Sequence, residues 1–389
     1  MYPLINPAIN RNVRDPAEPP EPAPPSSAVS PKPSCTRLPG LLIAALAPLT
    51  NFSSSIPPSH ETMSSIISVV GATGHQGGGV VNVLLDSTDY RVRALTSNPS
   101  SNKAKALLQK YSKFVDEGRF ELVEGNLNDQ ASLEKAIQGS YGLYAAFSPT
   151  PSEGPTEENP EYLQGKNLVD AAKASDIQHF VYSSLPSLKS LTNGKVTEVF
   201  PFETKAAVEQ YARAHLPNTT IVIPGSFYSN LNMPLWAKRR DDGVVAITTP
   251  LSSSTTLGWV DEAFDMGTFV AAILKKGPQA TAGKTYPINS TPITCAELAE
   301  TYAQVTGERA EVDPLTLETV SQVLTSVAGQ TLATALVGLL KFVDSVEPSP
   351  YNYGPGYIEH DTSYEDLGVK ASTLESFLKR TGYRVPASA

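Results

Sequence analysis

Ile66-Ile67-Ser68-Val69-Val70-Gly71-Ala72-Thr73-Gly74-His75-Gln76-Gly77-Gly78-Gly79-Val80 is the stretch that decides the fold. The β-branched residues Ile66, Ile67, Val69 and Val70 suit a central strand covered on both faces. Glycines follow at G-x-x-G-x-x-G spacing, and Val80, Val81, Val83, Leu84 and Leu85 then recur at helical period. Strand, glycine turn and helix in this order open a dinucleotide fold. Gly71 takes the turn, Gly74 lets backbone approach a diphosphate, and Gly77 lets the helix pack close to the strand. The free N–H groups of the first helical turn would face the anion. Thr73, His75 and Gln76 lie in the turn and are read as contacting cofactor. An ordinary glycine turn in a nucleotide-free domain is the plain alternative, and the flanking elements weigh against it.

Working outward, strands and helices alternate. Strands are expected at Tyr90–Leu95, Phe120–Glu124, Gly142–Phe147, His179–Tyr182 and Thr219–Ile223, with helices near 102–110, 130–138, 162–174 and 202–214. That pattern predicts an α/β fold: a Rossmann-like, mostly parallel sheet with helices on both faces. The rest is less regular. A helix is expected over 261–274 and short strands at 244–247 and 286–288. Thr294 with Glu297 reads as a capping box for a helix over 294–305. Leu315–Val343 reads as two helices broken near Gly329 or Gly338, 351–357 as an aromatic turn, and 373–381 as a last helix. The expected division is a Rossmann domain over 63–235 and a smaller α/β substrate or partner lobe over 236–389, interleaved with the first.

Residues 1–62 differ in composition. Asp15–Pro25 reads DPAEPPEPAPP, and such a run cannot bury enough apolar area to repay ordering, so a disordered proline- and serine-rich tail is expected. The apolar run Leu38–Leu49 contains Pro39 and Pro48 and falls short of the roughly 20 residues a membrane span needs. Met63, just before the strand, offers an alternative start. The chain has 389 residues and a formal net charge of -9, which disfavours a large nucleic-acid face. Its two cysteines, Cys35 and Cys295, cannot build a disulfide framework or a thiolate metal site. The expectation is a cytoplasmic protein, with the nucleus as a second compartment, holding no metal and no membrane segment.

Cofactor preference turns on the end of the second strand, where an NAD site would usually carry an acid for the ribose hydroxyls. Here Ala94-Leu95-Thr96-Ser97-Asn98 carries none, so nothing repels a 2′-phosphate. Thr96 and Ser97 can hydrogen-bond it, with Arg93 or Lys103 supplying charge. NADP(H) is favoured over NAD(H). Asn126 and Leu127 are placed at the adenine. Phe147, Ser148 and Pro149 are placed at the nicotinamide; Tyr182 and Phe227 are read as cofactor-binding and, with Tyr228, as a pocket wall, with a core stripe as the alternative.

These residues together carry a family likeness. GATGHQGGGVV (71–81), VRALTSNP (92–99), EGNLND (124–129), HFVYSSL (179–185), FETKAAVEQY (202–211) and PGSFYSN (224–230) resemble the NmrA-like group of atypical short-chain dehydrogenase/reductases. The resemblance implies a Rossmann domain with a smaller C-terminal lobe. It also implies either an NADP-sensing protein that binds a transcription factor or signalling partner, or a relative of quinone-reducing enzymes. Ser97 stands where many relatives place an arginine for the 2′-phosphate. Classical short-chain reductases use Tyr-x-x-x-Lys plus a serine. Here Lys205 fits the lysine slot, Pro201 fills the tyrosine slot without a transferable proton, and Ser183 or Ser184 fits the serine. The leading expectation is a cofactor-responsive regulator acting through protein partners, with Lys205 on the nicotinamide ribose. The alternative is NADPH-dependent reduction of a quinone or enone, with Lys205 or Tyr228 in proton transfer.

Overall fold

The computed structural model describes residues 65–149, 159–347, 353, 357–358 and 361–387. The expected proline-rich tail, most of the 148–158 loop and most of the 351–357 turn lie outside those residues.

Seven strands form the main sheet: β1 (Ile66–Val70), β2 (Arg91–Thr96), β3 (Phe120–Glu124), β4 (Gly142–Ala145), β5 (His179–Ser183), β6 (Thr219–Pro224) and the strand Thr285–Ile288. Their order across the sheet is Thr285–Ile288, β6, β5, β4, β1, β2, β3, and every neighbouring pair is parallel. The expected parallel α/β sheet is therefore what forms. Succession reverses at β1, which has β2 on one side and β4 on the other, so a crevice opens outside the carboxyl ends there.

Alternation along β1 feeds two cores. Ile67 and Val69 join Val80, Val81, Leu84 and Leu85 of helix α1 (His75–Ser87) and Phe269, Val270 and Ile273 of helix Asp265–Lys276. Val70 joins Leu143, Phe180, Tyr182 and Ile221 beneath helices Gln130–Ile137, Pro160–Ala174 and Phe200–His215. Both faces are thus covered, as all-parallel sheets require. A third cluster, around Tyr228, Trp259, Tyr302, Phe342 and Phe377, draws mostly on the C-terminal part of the chain, with Leu188, Val199 and Phe202 from before β6.

Several boundaries differ from expectation for local reasons. The helix expected from Tyr162 begins at Pro160, because Asn159 Oδ1 accepts from the N–H of Glu161 (2.9 Å) and Tyr162 (3.1 Å). The helix carrying Lys205 begins at Phe200, with Pro201 in its first turn, where a missing N–H costs nothing. The helix expected from 261 begins at Asp265, because the Asp261 carboxylate holds a turn by accepting from Ala263 N and Phe264 N. The long apolar stretch breaks at Gly329 (φ 83°), whereas Gly338 stays helical against the Glu198 side chain. The capping box of Thr294 and Glu297 forms as expected. A strand at Ala310–Pro314 pairs parallel with Val245–Thr249, although its sequence, AEVDP, carries almost no apolar alternation. Among the described residues, no helix is long and apolar enough to cross a membrane.

Candidate functional site

The glycine turn is set by sterics. Gly71 has φ 78°, and a Cβ there would lie 2.7 Å from Ala146 O. A Cβ on Gly77 would lie 2.3 Å from Gly71 O, so the first turn of α1 can sit against the loop only if that residue is glycine. Gly74 N donates to Gly71 O (2.9 Å), and Gly78 N is the first helical donor, reaching Gly74 O (2.8 Å). Gly74 is the N-cap, with extended backbone and no side-chain cap. The first-turn N–H groups of α1 therefore lack both helical acceptors and a capping side chain, and they open onto the sheet's carboxyl edge. This backbone fits a diphosphate.

Two side chains of the turn are anchored by distant partners. His75 Nδ1 donates to Glu262 Oε1 (2.9 Å); the carboxylate is buried and the imidazole largely exposed. Gln76 Oε1 accepts from Ser183 Oγ (2.8 Å) and Tyr144 OH (3.2 Å), which joins α1 to the ends of β4 and β5. Tyr144 is fully buried, and burial pushes its phenol well above the ordinary range. Ser183 thus spends its proton on Gln76. Ser184 Oγ donates to Leu185 O (3.3 Å) and Lys205 O (3.4 Å).

Lys205 is 7% exposed, and its Nζ donates to Phe147 O (3.2 Å) and to Glu161 Oε1. Glu161 is 1% exposed and sits in the first turn of helix Pro160–Ala174. The lysine is thereby stationed at the carboxyl end of β4, beside Ser148 and Pro149, which are exposed.

The remaining predicted residues fall in four places. Thr73, Gly74 and His75 are exposed at the turn. Thr96 and Ser97 lie at the end of β2, half-buried and exposed, with Thr96 Oγ1 accepting from Asn98 N (3.3 Å). Asn98 turns its own oxygen onto Ser100 N (3.0 Å), and Lys103 is exposed on the next helix. Asn126 and Leu127 follow β3; Asn126 Oδ1 accepts from Asn128 N (3.0 Å) and Leu127 O from Asn167 Nδ2 (3.0 Å). Phe227, half-buried, pairs in a short strand with Val260.

Three residues leave the candidate set. Arg93 donates to Glu121 Oε1 (2.8 Å), Ala136 O (3.1 Å) and Gln138 O (2.7 Å); it is committed to a neighbouring strand and a helix C-terminus, not to a 2′-phosphate. Tyr228 is fully buried between Trp259 and Phe377, donates to Ser372 O (3.0 Å), and has its phenol raised by burial. It belongs to the third buried cluster, in the core role that is its alternative reading. Tyr182 is fully buried beside Phe147 and Phe180; its hydroxyl has no hydrogen-bond partner among the described residues, and burial raises it well above the usual range.

Sequence reasoning missed Glu161, Tyr144 and Glu262. The signal for Glu161 was Asn159-Pro160-Glu161, an N-cap followed by proline and an acid at a helix start. Tyr144 and Glu262 carried no local signal. A separate small pocket near the end of β6 is lined by Pro224, Gly225, Asn289, Tyr353 and Tyr357; no predicted cofactor residue lines it. Among the described residues, no group of three or more His, Cys, Asp or Glu could hold a metal.

Comparison with known proteins adds the following. The sequence model of the NmrA-like family matches residues 63–378. The NmrA-like family domain-containing oxidoreductase malD of Malbranchea aurantiaca is 31% identical over 266 residues, which is 64% of this chain and 75% of malD. Among solved structures, Nmra, a negative transcriptional regulator, superposes in its NAD complex with TM-score 0.65 at 20% identity, covering 82% of this chain and 95% of that one. Its NADP complex gives 0.64 at 19% identity over the same shares. The NADPH-dependent quinone oxidoreductase QOR2 of Escherichia coli, complexed with NADPH, gives 0.57 at 19% identity, covering 82% of this chain and all of QOR2. At such identities these structures speak to the fold alone.

Proposed function

The chain belongs to the NmrA-like family, and we propose that it binds a nicotinamide dinucleotide, NADP(H) ahead of NAD(H), and uses it to reduce a quinone- or enone-type small molecule. The observation that carries the binding is the uncapped start of α1, held against Gly71 by a contact that only glycine at 77 permits. The first-turn N–H groups take the diphosphate. Thr96 and Ser97, with no acid on their own strand end although Glu124 of β3 pairs with Thr96, take the adenosine ribose and its 2′-phosphate, and Asn126 and Leu127 flank the adenine. Lys205 donates to the nicotinamide ribose, and Phe147, Ser148, Pro149 and Phe227 border the ring.

When bound, NADPH supplies a hydride. The acceptor class follows from what the side chains leave undone. Pro201 carries no proton, Ser183 donates to Gln76, and Tyr228 is enclosed in the lobe. A conjugated acceptor suits such a site, because its reduced anion is delocalised and water can complete the protonation. The oxidoreductase designation of malD supports this reading. The same shortage of a free acid favours a second reading, a cofactor-responsive regulator acting through a protein partner such as a transcription factor. The likeness to Nmra accompanies it.

Titration with NADPH and NADH, followed by absorbance at 340 nm with a panel of quinones and enones, tests the proposal. Tighter NADPH binding and acceptor-dependent oxidation are expected. Binding without oxidation of any acceptor favours the regulator, and pull-downs with and without NADP(H) then test for a cofactor-dependent partner. No binding of either dinucleotide overturns both readings.

A further inference from the structure

We infer that Glu161 is a positioning residue for Lys205, fixing the lysine's Nζ at the carboxyl end of β4 so that the nicotinamide-side ribose of the dinucleotide meets an already aimed donor. The inference rests on the cofactor reading above and goes further, by naming what orients the lysine.

Four observations carry it. Glu161 and Lys205 are both buried and pair directly, although they lie 44 positions apart and on different helices. An ammonium has three N–H donors; Glu161 and Phe147 O take two in fixed directions, which defines where the third points. Helix Phe200–His215 offers no hydroxyl one turn before Lys205, because Pro201 stands there, so orientation has to come from outside that helix. Finally, the ion pair is not what joins the two helix starts. Asn159 Nδ2 donates to Thr204 Oγ1 (3.3 Å), and Gly165 admits the Val208 side chain where a Cβ would sit 2.4 Å from Val208 Cγ2. The helices meet without the charge pair, and a buried pair is a costly way to gain stability alone.

The test uses the full chain and two probes: NADPH, and 2′-phospho-ADP, which is NADPH without the nicotinamide and its ribose. Glu161→Gln is expected to weaken NADPH about tenfold, the scale of one hydrogen bond to a charged group, and to leave 2′-phospho-ADP within about twofold. Glu161→Asp, which keeps the charge, should recover part of the loss. In a Lys205→Met background, Glu161→Gln should cost nothing further, since its effect passes through the lysine. This double variant also removes both buried charges together, which guards against a single variant that fails to fold.

Equal weakening of both probes would make Glu161 a structural residue only. An undiminished effect in the Lys205→Met background, or wild-type NADPH affinity in Glu161→Gln, would equally overturn the inference. A wild-type protein that binds 2′-phospho-ADP as tightly as NADPH overturns it while leaving dinucleotide recognition intact. A wild-type protein that binds neither overturns the proposed function itself.

Discussion

The carboxyl edge of the sheet and the C-terminal lobe are held together by opposite means. The edge is shaped by main chain: Gly71 in a left-handed turn, Gly77 pressed on it, and an uncapped helix start. The lobe is joined by side chains reaching across the sequence to the start of helix Asp265–Lys276, which packs on α1. Asp265 accepts from Ser372 Oγ (2.7 Å), Ser372 N (3.0 Å) and Asp261 N (2.9 Å), while Arg380 donates to Asp261 Oδ2 (2.6 Å) and stacks over Phe264. Tyr228 is sandwiched by Trp259 and Phe377. The edge therefore tolerates no added atom at a few backbone positions, whereas the lobe tolerates no lost partner.

The sharpest break should come at Gly77→Val. The new side chain meets Gly71 O, so NADPH binding should be lost in titration, and urea unfolding should show a loss of about 3 kcal/mol or more. Next is Asp265→Ala, which strands three donors where the lobe joins the start of helix Asp265–Lys276. About 3 kcal/mol of stability should go, with NADPH affinity of the remaining folded protein within about twofold of wild type. Parallel loss of affinity would show that the two regions are not separable.

A third prediction concerns His179 at the foot of β5, far from the cofactor edge. Its Nε2 contacts the hydroxyls of Thr220 (3.2 Å) and Thr281 (3.0 Å), and burial pushes its pKa down to about 4. Below the unfolded value of about 6.5, the unfolded chain takes a proton that the native imidazole refuses. The contribution is full above that value and falls as pH drops toward 4. The stability difference between wild type and His179→Gln should shrink by about 2 kcal/mol from pH 6.5 to pH 5. The smallest effect expected is Thr294→Ala, which removes the cap of helix Cys295–Thr306 for about 1 kcal/mol in denaturant titration and leaves cofactor affinity unchanged.

This contrast also explains what could be read from the sequence. Strand, glycine turn and helix are neighbours along the chain, as are Thr294 and Glu297, so their chemistry shows as spacing. Glu161 meets Lys205 across 44 positions, Asp265 meets Ser372 across 107, and Glu262 meets His75 across 187. No local period records such pairs. Arg93 and Tyr228 misled for the same reason. Each has the right chemistry near the right strand end, but Glu121 claims the guanidinium and Ser372 the phenol.

The packing of the segment around Ala263 onto the first helix has a consequence for biosynthesis. A Cβ on Gly79 would strike Ala263 O at 2.2 Å, a Cβ on Gly267 would strike Gly79 O at 2.5 Å, and Thr285–Ile288 closes the sheet beside β6. A nascent chain that has emerged only as far as Pro224 has therefore made every residue of the glycine turn but lacks the helix that packs on α1 and the strand that covers β6. Such late, long-range closure slows folding and leaves the flank of β6 open to pairing with other chains. Ribosome-stalled fragments should gain protease resistance only once residues beyond Ile288 have left the exit tunnel.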